Sequence, residues 1–157
     1  MPTEYKKFKK VKNIFVDYPI YFYSGAQGEL EPKTLKEFIE LAVKLYDIDF
    51  VMIDNLQRYV KDDKFATQNT SRAMSMLKDS AVDLKIPILL ITHITKPEKN
   101  RNNNKVTMHD AKQSSTIYQV ADIYLTIWND KDTNKKNAED KMFLSIEKNR
   151  MGEGNLD

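Results

Sequence analysis

Apolar positions along the chain fall into two kinds of pattern. Over 34–46, Leu35, Phe38, Ile39, Ala42, Leu45 and Tyr46 recur at i, i+3, i+4, which predicts a helix with that face turned inward. Over about 67–84, Thr70, Ala73, Leu77, Ala81 and Leu84 repeat the spacing, and Lys85-Ile86-Pro87 closes a second helix. Around the helices stand short apolar runs, uninterrupted at 50–53 and 88–91, with further strands expected at 123–127 and 142–147. Runs of this kind suit strands covered on both faces, as in a parallel sheet. The β-forming stretch 13–23 reads as extended, with a strand over 20–23, and Gly25 and Gly28 turn the chain toward a helix with Pro32 at an early position. Strand and helix alternate, so the fold class is α/β with a mostly parallel central sheet.

Two stretches break the rhythm. Between Thr92 and Tyr118 the apolar pattern disappears, and from Lys96 to Lys112 five Lys/Arg stand against two acids beside a run of Asn, which predicts a mobile basic loop over about 95–116. From Asn129 to Lys141 runs a charge-balanced polar excursion. Gly152 and Gly154 announce a hairpin after the final strand, with three residues following. No internal repeat is present.

Composition narrows the chemistry. The 157 residues hold no Cys and two His, His93 and His109, which excludes disulfide scaffolds, zinc ribbons and thiol catalysis. A metal here rests on oxygen ligands. The basic start, Lys6 to Lys12, is followed by an apolar stretch broken by Asp17 and Pro19, so it does not read as a signal peptide, and no run approaches the roughly 18 apolar residues of a membrane span. A soluble intracellular chain is expected. With four glycines in all, no stretch satisfies G-x-x-x-x-G-K-[ST]; the nearest approach, Gly28 to Thr34, lacks the second Gly and puts Glu29 and Glu31 where an anion would sit.

In a parallel sheet, ligands bind outside the carboxyl ends of the strands. The residues expected there are Asp54 after the first run, Thr92 and His93 after the second, and Glu147-Lys148-Asn149-Arg150 after the last. An acid, an imidazole and two cations at such ends suit phosphate and magnesium. Each also has a plain structural reading: a turn cap for Asp54, a satisfied core imidazole for His93, a solvated strand end for Lys148 and Arg150.

The order of these residues resembles the RecA-like ATPase core of hexameric replicative helicases of the DnaB type and their phage and mitochondrial relatives, over about 21–157. Phe50-Val-Met-Ile-Asp54-Asn-Leu-Gln57 looks like the Walker B strand, and Leu90-Ile-Thr-His93 is similar to the motif whose Gln or His senses the γ-phosphate. Asp110-Ala-Lys112-Gln-Ser-Ser-Thr-Ile-Tyr-Gln119-Val-Ala-Asp122 resembles the D-L-R-x-S-G-x-I-x-Q-x-A-D segment that partly lines the DNA channel, and Glu147-Lys148-Asn-Arg150-Met-Gly152 looks like the K-x-R-x-G signature. The chain departs from the pattern at Lys112, where Arg is usual, and Ser115, where Gly is usual.

The resemblance implies an incomplete RecA-like three-layer domain in which the P-loop unit, which precedes this region in the family, is absent. It implies that Asp54 holds the Mg²⁺ of bound ATP through water, that His93 reports the γ-phosphate, and that Lys148 and Arg150 reach the ATP of a neighbouring subunit. It assigns single-stranded DNA to Lys96, Lys99, Arg101, Lys105, Lys112, Gln113 and Ser115. It further implies a homo-oligomeric, hexameric ring, a primase as a further partner, no membrane, and a cytoplasmic location, the host's if phage-encoded. The isolated chain is then expected to be inactive. The rival expectation is a non-catalytic RecA-like module that binds single-stranded DNA or a helicase.

Overall fold

A computed structural model of the chain describes residues 18–23, 32–56, 64–93, 106–107, 110, 114–130 and 141–152. Helix α1, Pro32–Tyr46, begins at a proline, whose fixed φ suits a first helical turn. It ends at Asp47, which takes the left-handed conformation (φ 53°) while its N–H donates to the Val43 carbonyl at 3.0 Å. Leu35 and Ile39 are buried as the spacing predicts, but Leu45 and Tyr46 are 64% and 51% exposed. The last turn runs past the core, and Tyr46 packs on Tyr21 instead, ring centroids 4.6 Å apart. Tyr23 packs likewise on Phe38 at 4.1 Å, so the expected strand over 20–23 is an irregular segment held to α1 by aromatic contacts.

Strand β1, Val51–Asp54, and strand β2, Ile88–Ile91, pair in parallel with Val51 opposite Ile88 and Asp54 opposite Ile91. Helix α2, Ala66–Leu84, is the crossover between them. It stops in a Schellman arrangement: Lys85 is left-handed (φ 57°), its N–H donates to the Val82 carbonyl and that of Ile86 to the Ala81 carbonyl. Leu35, Ile39, Ile53, Leu77 and Ile86 form one core cluster between these elements. Burial of each such side chain is worth roughly 1.5–3 kcal/mol. On the opposite face Met52 and Leu89 are about half exposed, so among the described residues the pair is covered on one face and not on both. An uninterrupted apolar run reports what a strand can bury, and the number of layers over it is set by the partners.

Within the stretch expected to be loop lies a short helix, α3, Ser114–Val120. Seven residues give too few turns for a periodic signal, yet Ile117 is buried against Leu56, Ala73, Met74 and Tyr124 in a second core cluster. Strand β3, Ile123–Asp130, and strand β4, Lys141–Asn149, pair antiparallel and run further into polar sequence than their apolar centres predict. Backbone pairing needs no apolar side chain, and the cross-strand stack of Trp128 on Phe143 (5.5 Å) supports the outer end. The register slips between Tyr124 and Leu125, leaving Glu147 as an extra residue. Among the described residues the strands therefore form two two-stranded sheets, one parallel and one antiparallel, and no helix is long and apolar enough to cross a membrane.

Candidate functional site

The parallel register puts the end of β1 beside the end of β2, and with it Asp54 and His93 at one carboxyl edge. What joins them is Asn55: its amide donates to His93 Nε2 at 2.6 Å. Asp54 is exposed, whereas the Asn55 side-chain oxygen is buried without a hydrogen-bond partner. A free carboxylate beside an unsatisfied amide oxygen is a donor set for a hard cation and its water shell. Among the described residues no three His, Cys, Asp or Glu side chains converge, so one carboxylate is what this edge contributes; magnesium is usually held that way, with substrate phosphates supplying further oxygens. The residues present thus fit Mg²⁺ bound together with a nucleotide.

Lys148 and Arg150 form a second constellation around the C-terminus of α3. Lys148 Nζ donates to the carbonyls of Tyr118 (2.5 Å) and Gln119 (3.2 Å) and lies over the Tyr118 ring, 4.9 Å from its centroid. Arg150 Nη2 donates to the Gln119 carbonyl at 2.6 Å, and its Nη1 lies 3.4 Å from Asp122 Oδ1. Both cations sit where the negative end of a helix favours them. The bulge at Glu147 sets their direction, because an extra residue re-aims the side chains beyond it in the strand, and the Glu147 carbonyl accepts from the Tyr118 hydroxyl at 3.3 Å. Lys78 of α2 binds the other oxygen of Asp122. Lys78, with Arg150 and Lys148 nearby, holds the Asp122 carboxyl below its ordinary range. Partial burial and the Arg150 charge lower the Lys148 ammonium. At Gly152 a Cβ would stand 3.1 Å from Asn149 Nδ2, so the glycine leaves room for a side chain whose oxygen accepts from the Met151 N–H.

Of the DNA candidates, Lys96, Lys99, Arg101, Lys105, Lys112 and Gln113 lie outside the described residues, and Ser115 is exposed on α3. The described part of that stretch is an anchor. Val106 is buried, and Asp110, also buried, accepts from the Thr107 N–H (2.7 Å) and hydroxyl (3.0 Å). Asp110 and Glu147, after burial itself, also push the Tyr124 hydroxyl above its ordinary value. Asp110→Ala strands two Thr107 donors and is expected to lower Tm by roughly 4–8 °C in thermal unfolding followed by circular dichroism. An unchanged Tm would show that Asp110 does not hold this segment.

Sequence reasoning passed over Asn55, Asp122 and Lys78 as site residues. Asn55 and Asp122 stood inside quoted motifs, but nothing in the sequence gave them partners. Lys78 carried no signal at all, because its partner is 44 residues away.

The described residues combine a parallel β-α-β unit, with an acid and an imidazole at its carboxyl edge, and a cation pair at the end of β4, which is an α/β arrangement. The DnaB-like helicase C-terminal domain model matches residues 2–156, and the chain belongs to that family. It is 25% identical over 151 residues to the replicative DNA helicase DnaB of Pasteurella multocida (strain Pm70), covering 92% of this chain and 31% of that protein. It is 26% identical over 133 residues to a probable plasmid replicative DNA helicase of Chlamydia trachomatis, covering 84% and 28%. Among solved structures, a DnaB-like replicative helicase described with its primase interactions superposes with a TM-score of 0.79 at 19% identity, covering 98% of this chain and 38% of that one. A second solved structure, that of an ATPase domain, superposes at 0.77 with 19% identity, covering 97% and 55%. The RecA-like fold expected from the sequence is therefore the fold found, and the chain spans less than a third of the curated relatives it matches.

Proposed function

We propose that this chain supplies the metal-holding, phosphate-sensing and trans-acting parts of an ATP-driven replicative DNA helicase, and that hydrolysis at subunit interfaces of a homo-oligomeric, hexameric ring drives translocation on single-stranded DNA. The observation that carries the reading is the edge where Asn55, the residue after Asp54, is hydrogen-bonded to His93 at the carboxyl ends of two parallel strands. Family membership and the two solved neighbours support it.

In this reading Asp54 holds Mg²⁺ through water, and Asn55 fixes the orientation of His93, whose ring senses the γ-phosphate. Mg²⁺ held by Asp54 would supply charge neutralisation on the phosphates of a bound nucleotide. Arg150, with Lys148 beside it, stabilises negative charge at the site of the neighbouring subunit. The basic stretch Lys96, Lys99, Arg101, Lys105, Lys112, with Gln113 and Ser115, tracks the DNA backbone, giving affinity that falls with salt and depends little on sequence. The relatives' role in DNA replication favours a cytoplasmic setting, with primase as a further partner.

The phosphate-gripping P-loop is not among these 157 residues. The purified chain is therefore expected to show no magnesium-dependent ATP turnover in a coupled phosphate-release assay, while the same residues joined to a P-loop-bearing segment hydrolyse ATP. Clear turnover by the chain alone would overturn this division of labour.

A further inference from the structure

We infer that Asp122 is the positioning residue of the finger pair, held in place from α2 by Lys78; this rests on the trans role proposed for Lys148 and Arg150.

Asp122 stands in the short link between α3 and β3, and the cations around it come from separate elements: Lys78 from α2, Lys148 and Arg150 from the end of β4. Its two carboxylate oxygens are divided between them, Oδ2 binding Lys78 and Oδ1 facing Arg150 Nη1 at 3.4 Å. The backbone closes the same joint, since the Arg150 N–H donates to the Asp122 carbonyl at 2.9 Å. The Gln119 carbonyl takes Arg150 Nη2. The guanidinium is thus fixed from one side by a carboxylate and a helix end.

The strengths are unequal, and the inequality matters. Lys78 makes the close contact, whereas the Arg150 contact is long and its side chain is 48% exposed. A guanidinium has five donors, and these two contacts use one each on Nη1 and Nη2. Arg150 is therefore aimed without being consumed, which is what a group needs if it must exchange a weak partner for a phosphate on another subunit. Without Lys78, Asp122 becomes a full counter-ion for Arg150 and holds it back. Without the Asp122 charge, Arg150 loses its aim.

The test uses the assembled, P-loop-containing helicase, with ring assembly checked by light scattering and active sites counted by binding of a fluorescent ATP analogue. Asp122→Asn is expected to lower kcat about tenfold per active site, with KM for ATP within about twofold, because misaiming a charged group costs rate more than ground-state binding. Asp122→Glu, which restores the charge, recovers most of the lost kcat; a purely structural aspartate would tolerate the longer Glu no better than Asn. Lys78→Met, at a partly buried position of α2 and checked for folding by circular dichroism, lowers kcat about threefold in the same pattern. Arg150→Ala serves as the reference. If it abolishes hydrolysis while folded Asp122→Asn and Lys78→Met rings keep wild-type kcat, the inference is overturned. If Arg150→Ala itself leaves kcat intact, the finger reading fails instead.

Discussion

Rings built entirely from Arg150→Ala subunits, assembled with their P-loop segments, are expected to lose about 10³–10⁵-fold in kcat while still binding ATP. That is about 4–7 kcal/mol of barrier. The loss is not one of stability: Arg150 is half exposed, and its long contact with Asp122 is of the kind worth at most about 1 kcal/mol. The more searching version mixes subunits. An Arg150→Ala subunit keeps its own Asp54, and an Asp54→Asn subunit keeps its own Arg150. Where the first contributes the metal side and the second the finger side, an interface is whole. Mixed rings should therefore hydrolyse ATP faster than either pure ring. No recovery on mixing would mean that Arg150 works within its own subunit.

The position of this pair bears on coupling. Lys148 and Arg150 are bound to the last carbonyls of α3, and α3 comes directly after the basic stretch proposed to meet DNA. A finger that shifts toward a neighbour's phosphate removes hydrogen bonds from that helix end. On the proposed reading, this would link nucleotide state to DNA contact through a few residues. The anchor at Val106 and Asp110 fixes one point of the same stretch.

The range of the forces involved decides how much of this was legible in the sequence. α1 and α2 are long enough for the 3.6-residue period to repeat, and Leu35, Ile39, Thr70, Ala73 and Leu77 are buried as that period predicts. The meeting of Asp54 and His93 was legible because parallel strands bring their carboxyl ends to one edge whatever the intervening residues. α3 was hidden because seven residues show no period, and the outer exposure of Met52 and Leu89 because an apolar strand looks the same with one layer over it or two. The bulge at Glu147, which aims Lys148 and Arg150, is a pairing irregularity and leaves no mark in a single strand's sequence. Lys78 and Asp122 illustrate the remainder: an ion pair set by tertiary packing alone.

Asp54→Asn is the second large effect expected. Asparagine keeps the shape of the side chain and removes its charge, and Asp54 is exposed, so the fold should be unaffected. In the role proposed for Asp54, what is lost is a carboxylate that would hold the magnesium water shell, a kind of outer ligand whose removal costs about 10–100-fold in metal affinity or activity. The dependence on metal separates this from the finger variant. In Asp54→Asn the magnesium concentration for half-maximal hydrolysis should rise by the same factor, and part of the rate should return at high magnesium. In Arg150→Ala the magnesium curve should keep its midpoint and lose only its height. Asn55→Ala should leave the magnesium midpoint nearer to wild type than Asp54→Asn does, because its link runs to His93 and the sensing of phosphate. Identical magnesium curves for wild type and Asp54→Asn would remove Asp54 from the metal site and, with it, the reading of this strand end as the cation-holding edge.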